Sequence, residues 1–297
     1  MPSNRLISRI NVYERLLRLD KPIGIMLLLW PTLWALFTAA GGQPEPLLLW
    51  IFILGTVLMR SAGCIVNDLA DRKLDALVER TKNRPLVTGE ISVKEAWICL
   101  SALTLYALYL VWALDNMMVL WLSLAAVLVA ATYPLAKRWL SIPQAHLGIA
   151  FSWGILMAYA AVLDSLTHTA WWLFVANYFW IIAYDTQYAM VDRADDLRAG
   201  IKSSAIFFGR FDVAVVMLCY AAMLAILSVA GYYLICWQNW QSFRWLLAAL
   251  LLAALFVGYQ YKLIRRREPQ SCIKAFRYNN WIGLIIFIGL LLALRLP

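Results

Sequence analysis

The chain has 297 residues, 63% hydrophobic and 14% charged, with mean hydropathy +0.71 and formal net charge +9. Such a composition excludes a soluble domain of this length and describes an all-α polytopic membrane protein. The basic excess does not indicate nucleic acid, because the Lys and Arg flank membrane-length runs and alternate with acids; helix orientation and anionic lipid account for them.

Residues 1–22 are basic and lack the apolar core and small-residue cleavage site of a secretory signal. Leu6, Ile10, Tyr13 and Leu17 form a stripe opposite Arg5, Arg9, Arg15 and Arg18, which predicts a helix lying on the membrane surface. Runs long enough to cross about 30 Å of hydrocarbon follow at 23–40, 47–66, 96–114, 117–134, 144–163, 169–188, 213–233, 245–261 and 279–296, for about nine spans. Turn-forming residues such as Gly41-Gly42-Gln43-Pro44, Asp115-Asn116 and Glu268-Pro269 separate them. Lys and Arg number five before the first span, six between the second and third, two after the fourth, four after the sixth and six between the eighth and ninth. The alternate connections carry almost none, so the N-terminus and the basic connections are expected in the cytoplasm. No linker divides the chain, and residues 1–297 read as one integral-membrane domain.

Two acidic stretches interrupt the apolar pattern. Asp68, Asp71, Asp75, Asp185, Asp192, Asp195 and Asp196 are seven of the seventeen acidic residues. On a continuous helix Asp68, Asp71 and Asp75 fall within an arc of roughly 60°, flanked by Asn67, and the second set bunches similarly. Carboxylates on one face repel one another and need a countercharge, which hard divalent cations with oxygen ligands supply. The expected ion is Mg²⁺, held by Asp68, Asp71, Asp75, Asp192 and Asp196. A single Asp-rich helix end is as often a solvated cap. Two of them on one side, each followed by basic residues, favour a phosphate site. Its candidate cations are Arg72, Lys73, Arg80, Lys82, Arg84, Arg193, Arg198 and Lys202. Each acidic stretch opens a long polar connection, 67–95 and 185–210, and these suggest two half-sites of an internal pseudo-repeat around a central cavity. A phosphate site at a membrane surface suits an amphiphile with its diphosphate near water and its tail among helices, the shape of a prenyl diphosphate. Asp185, near the inner end of the sixth span, is a costly place for an acid and is assigned a functional role, with hydrogen bonding to Tyr184 or Tyr188 as the plainer account. Tyr133 with Lys137 and Arg138 ends the fourth span: topology anchors, or a hydroxyl and cations for a diphosphate or acidic co-substrate. Arg60, inside the second span, either snorkels or pairs with the Asp cluster. The five cysteines show no paired spacing, and with two histidines a His-based metal or nucleophile site is not expected.

Asn67-Asp68-x-x-Asp71-x-x-x-Asp75, Asp192-x-x-x-Asp196 and Tyr133-x-x-x-Lys137 resemble the signatures of the intramembrane aromatic prenyltransferases. Leu19-Asp20-Lys21-Pro22-Ile23-Gly24, Arg60-Ser61-Ala62-Gly63-Cys64 and Tyr184-Asp185-Thr186-Gln187-Tyr188 are similar to the branch of that family acting in bacterial ubiquinone synthesis. Ala194 stands where relatives often carry another acid, leaving both ends of the second motif intact. The resemblance implies nine helices around a cavity open laterally to lipid and capped by the Asp-bearing loops. It also implies Mg²⁺ dependence, an all-trans polyprenyl diphosphate donor, and prenylation of 4-hydroxybenzoate at carbon 3 by electrophilic aromatic substitution. In this reading Asn67 assists the metal-holding carboxylates, and Arg72, Arg84, Lys137, Arg193 and Lys202 serve the substrates. Arg138 takes the acceptor's carboxylate, and Asp185, Asp192 or the diphosphate itself removes the ring proton. Another acceptor such as dihydroxynaphthoate stays open. A cation-coupled transporter is disfavoured because the acids lie at helix ends rather than near the midplane. A phospholipid-head-group transferase is disfavoured because its Asp-Gly-x-x-Ala-Arg start is absent.

Overall fold

The computed structural model describes residues 2–236 and 240–296, and among them every regular element is a helix. In chain order these are α1 (Pro2–Leu17), α2 (Ile23–Ala39), α3 (Pro46–Ala70), α4 (Arg72–Asp75), α5 (Pro85–Thr88), α6 (Val93–Trp112), α7 (Met117–Trp139), α8 (Pro143–Leu163), α9 (His168–Ala199), α10 (Ser204–Phe208), α11 (Asp212–Gly231), α12 (Trp240–Ile264) and α13 (Pro269–Arg295). Helices α2, α3, α6 to α9 and α11 to α13 coincide with the nine expected runs. Seven described segments are long and apolar enough to cross a membrane; α2, at 17 residues, and α9, whose second half is polar, fall outside that set. The protein is a multi-pass membrane protein.

Local chemistry starts and stops these helices. Pro46, Pro143 and Pro269 open α3, α8 and α13, where a missing N–H costs nothing. Ser92 and Glu95 form a reciprocal cap on α6, Ser92 Oγ accepting from the Glu95 amide at 3.2 Å and Glu95 Oε2 from the Ser92 amide at 2.9 Å. Asn116 caps α7 through the Val119 amide and donates to the Ala160 carbonyl, tying α7 to the end of α8. Gly200 ends α9 at φ 68°, a left-handed conformation that glycine adopts without strain.

Helix α9 is the axis of the tight part of the bundle, packed by α2, α8, α11 and α13. Trp34 and Trp180 stack at 5.2 Å between ring centres, and both are fully buried. Beside them is a polar cluster: Trp180 Nε1 donates to Asn279 Oδ1 at 2.9 Å, the Tyr220 hydroxyl lies within hydrogen-bond distance of the Asn279 and Gln260 side-chain oxygens and donates to one of them, and Gln187 Nε2 donates to Tyr220 and Gln260. Trp180, Asn279, Tyr220 and Gln187 are hydrogen-bonded within it, which lowers the cost of holding them at membrane depth, whereas Gln260 Nε2 is buried without a partner. Helices α6 and α7 are the opposite case, with only 11% of the residues in each span buried, against 39–44% for α3, α8, α12 and α13.

Helix α1 packs across α3 and α5 rather than standing alone. Val12 and Leu16 are buried against Ile65, Leu86 and Ile91, worth about 1.5–3 kcal/mol per side chain. Tyr13 and Leu17 flank that contact, whereas Ile7 and Ile10 are each 56% exposed. The apolar surface is therefore divided between the protein and the outer face; the side chains of Arg5 and Leu6 lie outside the described residues.

Candidate active site

One large cavity, of about 1690 Å³, runs from the loops after α3 and α9 down between α2, α3, α6, α7 and α8. Asn67, Asp68, Asp71, Asp75, Asp185, Asp192 and Asp196 all line it, together with Arg18, Arg60, Arg80, Arg84, Tyr133 and Lys202. Its deeper wall is apolar, including Leu27, Phe52, Val111 and Leu147. Leu108, Leu124 and Val127 line the cavity from α6 and α7, the two spans least buried by protein, so on this side a single layer of helix separates the cavity from the outer face.

The first acidic stretch departs from the continuous helix expected of it. Helix α3 ends at Ala70, Asp71 takes φ −97° and ψ 7°, and α4 restarts at Arg72. The hydrogen bonds from Asp71 N to Asn67 O (2.9 Å) and from Asp75 N to Asp71 O (2.8 Å) carry the register across the break, so all three aspartates still reach the cavity. They are 2%, 5% and 7% exposed. Arg18 Nη2 lies 2.8 Å from both oxygens of Asp68. Arg84 Nη1 is 3.0 Å from Asp68 Oδ1 and also bonds Asp75 Oδ2. Thr81 closes the turn by donating to the Asp75 carbonyl at 2.8 Å. Burial raises the Asp75 carboxyl above its ordinary value; Arg84 opposes this, and Asp68 and Asp71 add to it.

The second stretch lies on uninterrupted α9, with Asp192 half-buried and Asp196 8% exposed. Arg80, from the loop after α4, spans the two stretches: its Nε is 2.9 Å from Asp192 Oδ1 and its Nη2 2.5 Å from Oδ2, with its guanidinium 4.6 Å over the Tyr188 ring. The Glu79 amide donates to Asp195 Oδ2 at 3.2 Å, and Arg198 pairs with Asp195. The two acidic stretches thus meet across one cavity mouth.

The candidate cations divide. Arg84 and Lys202 line the cavity, Lys202 donating to the Trp139 carbonyl at 3.2 Å. Arg72 turns away to the Leu86 carbonyl at 3.0 Å, Arg138 to the Ala70 carbonyl at 3.3 Å, and Arg193 to Asp212, which Arg267 also holds. None of these three lines the cavity. The side chain of Lys137 lies outside the described residues. Arg18 is the contact the sequence reading passed over. It belonged there to the polar face of α1, and its approach to Asp68 across 50 residues has no local signal.

Among the described residues no three His, Cys, Asp or Glu side chains converge in a metal-binding group. The countercharge anticipated from divalent ions is supplied in part by guanidinium groups, because Arg18, Arg80 and Arg84 fold onto the same carboxylates. The donor set is nonetheless all oxygen, from carboxylates and the Asn67 amide, and it faces a cavity rather than a packed core. That chemistry fits a hard cation such as Mg²⁺ and not a soft one.

Residues 28–288 match the model of the UbiA prenyltransferase family. The chain belongs to that family. It is 57% identical over 285 residues to a 4-hydroxybenzoate octaprenyltransferase of Dechloromonas aromatica (strain RCB), covering 96% of this chain and 94% of that one. A protein of the same name from Methylobacillus flagellatus is 56% identical over 291 residues, covering 98% and 96%. Among solved structures, a UbiA homolog from Aeropyrum pernix K1 superposes with TM-score 0.74 at 24% identity, over 88% of this chain and 96% of that one. A UbiA homolog from Archaeoglobus fulgidus bound to GPP and Mg²⁺ superposes with TM-score 0.65 at 22% identity, over 95% and 99%. The prenyltransferase fold is therefore common to this chain and to proteins of much lower sequence similarity.

Proposed function

We propose that this prenyltransferase moves a polyprenyl group from an all-trans polyprenyl diphosphate to carbon 3 of 4-hydroxybenzoate in ubiquinone synthesis. The observation that carries this reading is the meeting of both acidic stretches at the polar mouth of one long apolar cavity. The mouth suits a diphosphate and the apolar wall suits its tail. The relatives named above act, by their names, on 4-hydroxybenzoate.

Asp68, Asp71, Asp75, Asp192 and Asp196, with Asn67, would hold Mg²⁺, which when bound neutralises the leaving diphosphate. Arg80, Arg84 and Lys202 take diphosphate oxygens at the mouth. The apolar wall excludes water from the allylic carbon. There the C–O bond breaks, its electron pair leaving with the diphosphate. Carbon 3 of the acceptor, ortho to the phenol, forms the new C–C bond. Its proton passes to Asp185, Asp192 or the departing diphosphate, and aromaticity returns. The basic connections put this mouth and the N-terminus on the cytoplasmic side of the inner membrane, with α1 on that surface. The chain acts as one domain whose half-sites are 67–95 and 185–210.

The test is to incubate membranes carrying the protein with labelled prenyl diphosphate and a panel of aromatic acceptors that includes dihydroxynaphthoate, with Mg²⁺ or EDTA. Labelled product with 4-hydroxybenzoate alone, lost with EDTA, is the expected result. Product only with another acceptor overturns the assignment.

A further inference from the structure

We infer that Asp212 is a positioning residue: it holds Arg193 off the acidic ledge of α9 and so leaves Asp192 and Asp196 to a divalent cation. This rests on the metal reading given above and identifies what protects that site from the chain's own positive charge.

The two half-sites share a pattern, Asp71-Arg72-x-x-Asp75 and Asp192-Arg193-x-x-Asp196. Each puts an arginine directly after one metal-holding aspartate and three residues before another. Groups three apart on a helix are neighbours, so each arginine is placed to neutralise the acid ahead of it. Farther along α9, Asp195 and Arg198 are also three apart, and they do pair. Among the described residues Arg72 and Arg193 make no such pair. Arg72 Nε donates instead to the Leu86 carbonyl at 3.0 Å, and Arg193 Nη1 donates to Asp212 Oδ2 at 3.1 Å. The first half-site turns its arginine away with a neutral carbonyl, and the second does so with a carboxylate.

Asp212 opens α11 and is fully buried, a place where a lone carboxylate is costly. Arg267, from the turn between α12 and α13, already satisfies it. Its Nε and Nη2 lie 2.9 Å and 2.7 Å from Oδ1, Nε lies 3.1 Å from Oδ2, and the Val213 amide donates to Oδ1 at 2.7 Å. Arg267 is itself fixed: its backbone is left-handed at φ 56°, which costs a non-glycine residue energy, and Nη2 also donates to the Arg210 carbonyl at 2.9 Å. A second guanidinium on the same carboxylate is therefore surplus to the ion pair, and it brings like charge beside Arg267. Keeping Arg193 in that place accounts for the surplus. The alternative place is close. A small cavity of about 280 Å³ beside Arg193, lined also by Met190, Ala194, Leu197 and Arg267, gives the guanidinium room to turn. Asp196 lies about one turn farther along α9. Released from Asp212, Arg193 swings to Asp196 and competes with a divalent cation for the carboxylate.

The experiment measures binding of Mn²⁺, a hard cation visible by electron paramagnetic resonance, to the purified full-length enzyme in detergent, with the thermal midpoint read alongside. Wild type, Asp212→Asn, Arg193→Gln and the double variant are compared. Asp212→Asn is expected to weaken Mn²⁺ binding about tenfold, the size of effect that residues outside a metal's own ligands have. Arg193→Gln is expected to bind within about threefold of wild type, and the double variant to return to that range although its midpoint stays low. Such a recovery marks a charge that had been withheld, because packing lost at Asp212 is not repaired by deleting a second partner. If Asp212→Asn does not accumulate in folded form, the same comparison is made in an Arg267→Gln background, where one guanidinium fewer is stranded. A double variant that binds Mn²⁺ as weakly as Asp212→Asn overturns the inference, and so does Asp212→Asn that binds as wild type does; both leave the metal reading intact. Wild-type enzyme that binds no Mn²⁺ overturns the metal reading itself, and this inference with it.

Discussion

The two acidic half-sites carry similar residues in different surroundings. The first sits at a broken helix end, enclosed so that Asp68, Asp71 and Asp75 are at most 7% exposed, and Arg18 and Arg84 are paired within it. The second is a ledge on unbroken α9. Its own arginines do not reach Asp192, Arg193 pairing with Asp212 and Arg198 with Asp195, and the cation on Asp192 is lent by the first half through Arg80. The difference teaches that the halves are not interchangeable. One is assembled from three separate segments and depends on its ion pairs to stay assembled; the other is rigid because a helix is rigid, and it depends on its neighbour for charge.

That comparison breaks most visibly at the chemistry. Asp71→Asn and Asp192→Asn are each expected to lower kcat/KM by about 10³-fold, in line with removing one group that stabilises developing charge, and chelation of Mg²⁺ is expected to abolish transfer. Labelled-product assays read both. Stability should then separate the halves. Asp68→Asn leaves Arg18 without its carboxylate and Arg84 with Asp75 alone in a buried place, and is expected to cost about 3 kcal/mol, whereas Asp192→Asn leaves a half-exposed Arg80 and should leave the thermal midpoint nearly unmoved. Equal midpoints for the two variants would end the distinction. Arg80→Gln, which cuts the one side-chain bridge described here between the halves, is expected to raise the donor KM about tenfold, and combining it with Asp192→Asn should add little, the non-additivity of residues in one pair. The smallest effect belongs to the rim. Arg15, then Thr88, hold the Glu90 carboxyl below its ordinary value by hydrogen bonds. The contribution is present above the usual carboxylate range and is lost as pH falls below about 4. Both partners are more than a third exposed, so Glu90→Gln should shift the midpoint by a degree or so near neutral pH and not at all in acid.

The bundle was legible because hydrocarbon demands long apolar runs, and those runs survive any tertiary arrangement. Ends were less legible for a definite reason. The sixth run stopped at 188 on hydropathy, yet α9 continues to Ala199, because Ala189 and Met190 are buried, Asp192 and Asp196 face the cavity and Arg193 pairs with Asp212. The break at Asp71 left no trace, since the acidic spacing is equally compatible with a straight helix. The carboxylates of the site were readable as an excess of like charge. The cations were not: whether Arg72, Arg138 or Arg193 faces the cavity depends on the Leu86 carbonyl, the Ala70 carbonyl and Asp212, none of which their local sequence announces. Arg18 looked like one charge in an amphipathic stripe, and only the packing of α1 on α3 and α5 brings it to Asp68.

The thin wall made by α6 and α7 has a consequence for the size of the donor. Leu108, Leu124 and Val127 line the cavity on the two spans least buried by protein, so beyond them a long tail is expected to meet lipid rather than more protein. Extra isoprene units then lie in the bilayer, where each added methylene is as comfortable as it was before binding. Affinity should therefore rise with tail length only until the tail passes this wall and stay level beyond it. Product length is then expected to follow the donor supplied, which assays with prenyl diphosphates of increasing tail length would read.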